Sequence, residues 1–191
     1  EQPELVRLQG DTVKERLDNI VEADWGMNTD FAKAYEIGQI GLKGKNIFQG
    51  YYKNKKATDE VMHEGYFLTG DLGYQDLEGN FFFSDRKKDL IIMGGVNIYP
   101  GEIEEIIYRI KDIRLAAVVG KEDKILGEEI IAFIQLKEGK SVDEREIILH
   151  CTKYLQKMKI PKKVIFIDEM PKTASGKILK RELIKKYQDA G

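Results

Sequence analysis

The sequence predicts an α+β protein in two parts: a small antiparallel β unit, then a C-terminal α+β domain with a three-stranded sheet, helices and a β-hairpin. Two observations predict it. Up to about Phe83 the chain alternates short aromatic and apolar runs with glycines, and beyond Asp85 helical stripes with a 3.6-residue period alternate with strand-length apolar runs. In the first part, the runs Ile37-Gly-Gln-Ile-Gly-Leu42, Gly65-Tyr-Phe-Leu68 and Asn80-Phe-Phe-Phe83 read as strands separated by turns. Upstream, residues 1–34 are charged and weakly patterned. Only Val13, Leu17, Ile20 and Val21 recur at helical spacing, predicting a short helix over Val13–Val21, and the stretch is assigned no function.

In the second part, the apolar run Asp89–Met93 turns at Gly94-Gly95, which predicts the hairpin. Pro100 then opens a helix with Ile103, Ile106, Ile107 and Ile110 along one stripe. Leu115–Val119, Ile130–Leu136 and Lys163–Ile167 read as three buried strands. Ser141 and Glu144 have the spacing of a capping box, heading a helix with Ile147, Ile148, Cys151, Leu155 and Met158 inward. Ile178, Leu179, Leu183, Ile184 and Tyr187 mark a terminal helix. The boundary falls at the change of pattern, giving parts 1–84 and 85–191.

Composition narrows the function classes. The 191 residues are 42% hydrophobic and 34% charged, yet the net charge is only −2, so bulk charge favours neither nucleic acid nor an anionic membrane. One cysteine, Cys151, excludes an internal disulfide framework and a paired-cysteine zinc site, which suits a reducing, cytoplasmic setting. No apolar run reaches the roughly 20 residues that span a bilayer, and Glu-Gln-Pro-Glu-Leu is unlike a signal peptide. The motifs GxxxxGK[ST], GxGxxG and HExxH are absent, so no metal site is expected, and His63 and His150 read as structural or exposed.

Several weak signals remain. Gly176-Lys177 sits in a loop before the last helix, where an ammonium could meet a phosphate or a developing oxyanion; an exposed turn lysine is the ordinary alternative. Asp71, in Thr69-Gly70-Asp71, could accept two hydrogen bonds from vicinal ribose hydroxyls or simply shape a turn. Arg86, in the charged run Asp85–Asp89, could offer a planar fork to ribose or phosphate oxygens or lie on a solvated connection. Gly94 and Gly95 could serve a tight turn, a close-passing ligand, or both.

Taken in order, five segments carry a resemblance. Gly50-Tyr-Tyr52, Gly65-Tyr-Phe-Leu-Thr-Gly-Asp71, Asp85-Arg-Lys-Lys-Asp-Leu-Ile91, Gly94-Gly-Val-Asn-Ile-Tyr-Pro-Gly-Glu-Ile-Glu104 and Pro171-Lys-Thr-Ala-Ser-Gly-Lys177 closely resemble the C-terminal third of the AMP-forming acyl-CoA synthetases. These belong to the adenylate-forming superfamily, with firefly luciferase and peptide-synthetase adenylation domains. The match spans roughly residues 36 to 187 and is nearest to fatty-acid, aryl and carnitine-type ligases.

The resemblance implies that residues 85–191 form a mobile lid and residues 1–84 a remnant or the last β subdomain of a larger N-terminal domain, with 1–34 unassigned. It implies that Lys177 bridges the acid carboxylate and the α-phosphate during adenylation. Asp71 and Arg86 would hold ATP or AMP, Lys88 would be the hinge, and Gly94 and Gly95 would line the path of CoA. ATP, CoA and Mg2+ are the implied cofactors, with ATP and Mg2+ bound mostly by the N-terminal domain. A carboxylic acid, expected to be a fatty acid, is the implied substrate, with chain length and head group left open. The Ser/Thr/Gly-rich phosphate loop and the Tyr-Gly-x-Thr-Glu segment of the family do not occur in the sequence, so it is expected to be inactive alone. Two other readings stay beside this one. One is a non-catalytic binding or regulatory module that keeps the lid fold; the other treats Lys172, Lys177, Lys180, Arg181, Lys185 and Lys186 as a nucleic-acid patch. Interleaved Ile178, Leu179, Leu183 and Ile184 instead make that tail an amphipathic helix, so no nucleic-acid partner is expected.

Overall fold

The computed structural model describes residues 4–9, 19–20 and 35–189. The chain divides into two compact units, residues 1–88 and 89–191. In the first, strands β1 (Glu4–Gln9), β2 (Asn19–Ile20), β3 (Gly38–Lys43), β4 (Met62–His63), β5 (Tyr66–Gln75) and β6 (Phe81–Arg86) form one sheet. Its order is β2-β1-β3-β5-β4, and β6 pairs with β5. Every pairing in it is antiparallel. Aromatic and β-branched residues form these strands because their side chains pack on a pleated face, with Tyr66, Leu68 and Leu72 buried.

Three features of this unit differ from the sequence reading. Asn19–Ile20 is a strand rather than the end of a helix; the rest of the helix expected over Val13–Val21 lies outside the described residues. Helix α1 (Lys55–Val61) was not foreseen, having no buried residue and hence no apolar stripe. Its Asn54 cap accepts a hydrogen bond from the Ala57 N–H at 3.1 Å, the short-range signal that marks it. Finally, β6 carries the first sheet past Asp85, because Asp85 and Arg86 pair with Leu72 and Asp71.

The second unit begins with the hairpin β7 (Ile91–Met93) and β8 (Val96–Ile98). Helix α2 (Pro100–Tyr108) follows, then strands β9 (Ile113–Asp123) and β10 (Gly127–Leu136), helix α3 (Glu144–Tyr154), strand β11 (Lys163–Phe166) and helix α4 (Lys180–Asp189). β9 and β11 flank β10, antiparallel and parallel respectively, and the hairpin joins through Met93 opposite Gly127. The three expected strands, the helices and the hairpin are all present, and the hairpin extends the three strands into a five-stranded sheet.

The two-residue period of β9 and β10 sorts their side chains onto two faces. Ala116, Val118, Ile130, Ala132 and Ile134 join Ile103 and Ile107 of α2 and Ile147 and Cys151 of α3 in one core. Ala117, Val119, Ile131 and Phe133 meet Met170 and Leu183 in a second core, on the α4 side. A strand buried on both faces reads as a continuous apolar run, as Ile130–Ile134 does.

The capping box was expected two residues too early. Asp143, not Ser141, caps α3: its carboxylate accepts from the Glu146 N–H at 2.7 Å, and Glu146 accepts from the Asp143 N–H at 3.2 Å. Both spacings exist in the sequence, and Asp143 prevails because its partner Glu146 stands at the third helical position. Asp143→Ala is therefore expected to destabilise the unit by about 1 kcal/mol. That corresponds to a thermal midpoint lower by roughly 4–8 °C for a domain of this size. Ser141→Ala should leave the midpoint unchanged in the same melt.

Candidate functional site

In the first unit, Asp71 and Arg86 are brought together by register. They are direct partners across β5 and β6, with Arg86 Nε 3.7 Å from Asp71 Oδ1. Thr69 braces the irregularity of β5 against β3 at this point: its hydroxyl donates to the Ile40 carbonyl at 2.8 Å and accepts from the Asp71 N–H at 3.1 Å. Gly70 between them has φ +77°, which explains a glycine there. The Asp71 carboxylate is 42% exposed and the Arg86 side chain 40%. An exposed acceptor pair beside a planar donor fork fits the hydroxyls and oxygens of a nucleotide ribose.

Lys88 lies in the 3-10 turn Lys87–Asp89, exposed, and is the last residue of the first unit. Just before it, Lys87 is tied to the first sheet by donating from Nζ to Oε1 of buried Gln39 at 2.8 Å.

In the second unit, Gly94 and Gly95 form the two-residue turn of the β7–β8 hairpin, with φ of +58° and +80°. Consecutive positive φ values define the turn that matches strand twist, and glycine adopts it without steric cost. No heavy atom lies within 4 Å of where a Cβ would stand at either position, so the turn is open to a ligand. Ile92, Val96, Ile125 and Leu126 are exposed apolar residues of this hairpin and of the β9–β10 turn, which are joined by the Gly94 N–H donating to the Leu126 carbonyl at 2.7 Å.

Lys177 is presented by a closed loop. The Thr173 N–H donates to the Lys177 carbonyl at 2.8 Å, and the Lys177 N–H donates to the Thr173 hydroxyl at 3.1 Å. The Thr173 and Ser175 hydroxyls bond at 2.9 Å, and Lys172 bridges Ile178. Main chain and hydroxyls thus hold the loop, leaving the lysine side chain exposed. Just beyond, α4 starts with a cation, Lys180, where the helix dipole disfavours one. Glu104 of α2 compensates at 2.8 Å while also accepting from the Val118 N–H at 2.7 Å. Sequence reading singled out neither Thr173 nor the Glu104–Lys180 pair. A threonine four residues before the loop lysine was the available signal for the first; the second joins residues 76 positions apart (180 − 104) and has no local signature.

Cys151 is buried in the core, and burial pushes its thiol up to about 11, so it stays protonated at neutral pH. It is a packing residue. His150 contacts the Ile106 carbonyl through Nε2 at 3.1 Å, a structural contact between helices. Among the described residues no group of three or more His, Cys, Asp or Glu could hold a metal ion, and no helix is long and apolar enough to cross a membrane.

Comparison with known proteins agrees with this architecture. The family of AMP-binding enzyme C-terminal domains matches residues 102–177. A 2-succinylbenzoate–CoA ligase of Geobacillus kaustophilus is 41% identical over 152 residues, covering 80% of this chain and 31% of the relative. A long-chain-fatty-acid–CoA ligase of Bacillus subtilis is 43% identical over 155 residues, covering 81% and 28% respectively. The ATP-bound crystal structure of MatB from Rhodopseudomonas palustris superposes with a TM-score of 0.84 at 31% identity, covering 100% of this chain and 35% of that one. The chain thus spans about a third of the length of these relatives. Residues 102–177 thus match the AMP-binding enzyme C-terminal domains, in a chain whose homologues are acyl-CoA ligases.

Proposed function

We propose that this chain is the C-terminal portion of an AMP-forming acyl-CoA synthetase, with the unit of residues 1–88 completing a larger body and that of residues 89–191 acting as its mobile lid. In the first half-reaction a carboxylate attacks the α-phosphate of ATP, giving acyl-adenylate and pyrophosphate. In the second, the CoA thiol displaces AMP to give the thioester. The observation that carries this reading is the Lys177 loop, which holds its own backbone through Thr173 and presents an exposed ammonium. Such a preorganised cation stabilises the negative charge that builds up as pyrophosphate leaves.

The other assignments follow from the same reading. Asp71 and Arg86 bind the ribose and phosphate oxygens, while Lys88 is the hinge whose torsions carry the lid from one pose to the other. In the second pose the Gly94-Gly95 turn passes beside the pantetheine arm of CoA. Magnesium would arrive with the nucleotide phosphates and be held by the larger body. The acid is a fatty or arylcarboxylic acid, in keeping with the long-chain-fatty-acid and 2-succinylbenzoate ligases among the relatives. A cytoplasmic location suits ATP and CoA as co-substrates.

ATP–pyrophosphate exchange tests the proposal. The folded chain of residues 1–191 should give no exchange with any fatty or aryl acid. Residues 35–191 placed behind the body of the Bacillus subtilis relative should restore it. Exchange by the chain alone would overturn the division of labour, and a folded but inert fusion would favour a non-catalytic docking module.

A further inference from the structure

The β7–β8 hairpin meets the rest of its sheet through one residue pair, Met93 opposite Gly127, so backbone pairing alone fixes it weakly. A side chain supplies what the ladder lacks. Glu128, half-buried on β10, accepts the Ile92 N–H through Oε2 at 2.5 Å, two residues before the Gly94-Gly95 turn. Space has been cleared for that carboxylate. A Cβ on Gly120, which pairs with Ile130 on the facing strand, would stand 2.5 Å from Glu128 Oε1 and 2.8 Å from its Cδ. The second fastening, from the Gly94 N–H to the Leu126 carbonyl, depends on the β9–β10 turn. Asp123 stiffens that turn by accepting the Ile125 and Leu126 N–H groups, both at 2.9 Å. These bonds hold the Asp123 carboxyl below its usual range.

We propose that Glu128 is a positioning residue for thioester formation: with Gly120 leaving it room, its carboxylate latches the hairpin so that the glycine turn keeps the place and aim that CoA requires. The inference rests on the assignment of Gly94-Gly95 to the CoA path. Charge-assisted bonds to backbone amides are the stronger class of hydrogen bond, and here one such bond fixes a strand of three residues. The latch lies outside the adenylation machinery, so it acts on one half-reaction only.

Two measurements test it. In the 191-residue chain, amide hydrogen exchange at Ile92 and Gly94 should accelerate at least about tenfold in Glu128→Ala, while Val118 and Ala132 in the sheet centre stay unchanged. Glu128→Gln, which keeps an acceptor oxygen, should restore exchange to within about threefold, and Gly120→Ala should mimic the loss by displacing the carboxylate. Unchanged hairpin exchange in both Glu128→Ala and Gly120→Ala would overturn the latch. In the fusion with the Bacillus subtilis body, Glu128→Ala should slow thioester formation from supplied acyl-adenylate by about tenfold and leave pyrophosphate exchange within about twofold. Equal loss of both half-reactions would make Glu128 merely structural and sink the proposal. Gly95→Leu in the same fusion separates the two ideas. If it spares thioester formation, the CoA assignment of the turn fails; if it blocks thioester formation while Glu128→Ala does not, the latch alone fails.

Discussion

Lys177→Ala in a complete ligase is expected to lower ATP–pyrophosphate exchange by at least about a hundredfold, the usual cost of removing one preorganised charge-stabilising group. The loop should survive the substitution. Its closing bonds use the backbone N–H and carbonyl of Lys177, which alanine retains, and the Thr173 hydroxyl. Loss of activity would then be loss of the ammonium, not of the loop. Thioester formation from supplied acyl-adenylate and CoA should proceed near the unsubstituted rate, because the proposed second pose takes the Lys177 loop out of the reaction. Lys177→Arg should recover little, since a guanidinium fork is longer and differently aimed than a point charge. Normal exchange by Lys177→Ala would remove the lysine from the reaction.

How far the sequence foretold the molecule depends on the range over which each feature is encoded. The strands of the second unit and the inward stripe of α2 were legible because burial imposes a period on neighbouring residues, as in Ile103, Ile106 and Ile107. The Gly94-Gly95 turn was legible because only a backbone demand explains two adjacent glycines between apolar runs. Strand β1 was not foreseen: it is held by pairing with β3 along Glu4–Leu8, a backbone interaction that leaves no compositional mark. α1 was missed for want of a buried face. At the site, the motif residues could be named singly, but their support could not. Lys87 reaches Gln39 across 48 positions and Glu128 reaches Ile92 across 36; such pairings emerge only once strands are in register.

The proposed hinge at Lys88 accords with the division into two units. Up to Lys87 the chain is fastened to the first sheet, by ladder pairing through Arg86 and by the Lys87–Gln39 bond. From Ile91 it is committed to the second core, where Ile91 is 1% exposed. Between these anchors lies only the stretch Lys88–Leu90, so any rotation of one unit against the other must be absorbed by a few torsions there. A proline at Lys88 would fix one of those torsions and is the natural way to trap the lid in a single pose.

Gly95→Leu should abolish thioester formation while leaving pyrophosphate exchange within about twofold, the mirror image of Lys177→Ala. Two effects compete at this position, strain and bulk. Strain comes from φ +80°, which costs a non-glycine residue roughly 1–2 kcal/mol and should lower the thermal midpoint by several degrees. Bulk starts from open space, since apart from the adjoining residues no heavy atom lies within 4 Å of the added Cβ. Gly95→Ala separates them, because it carries the same strain with a side chain of one carbon. If the leucine acts by filling the path of CoA, Gly95→Ala should share its lowered midpoint yet form thioester at a rate within about fivefold of the unsubstituted enzyme, while Gly95→Leu forms almost none. Should alanine and leucine fail alike, the turn's conformation rather than its open space is what the reaction needs. Should both form thioester normally, the hairpin tip stands away from CoA and the proposed second pose is wrong.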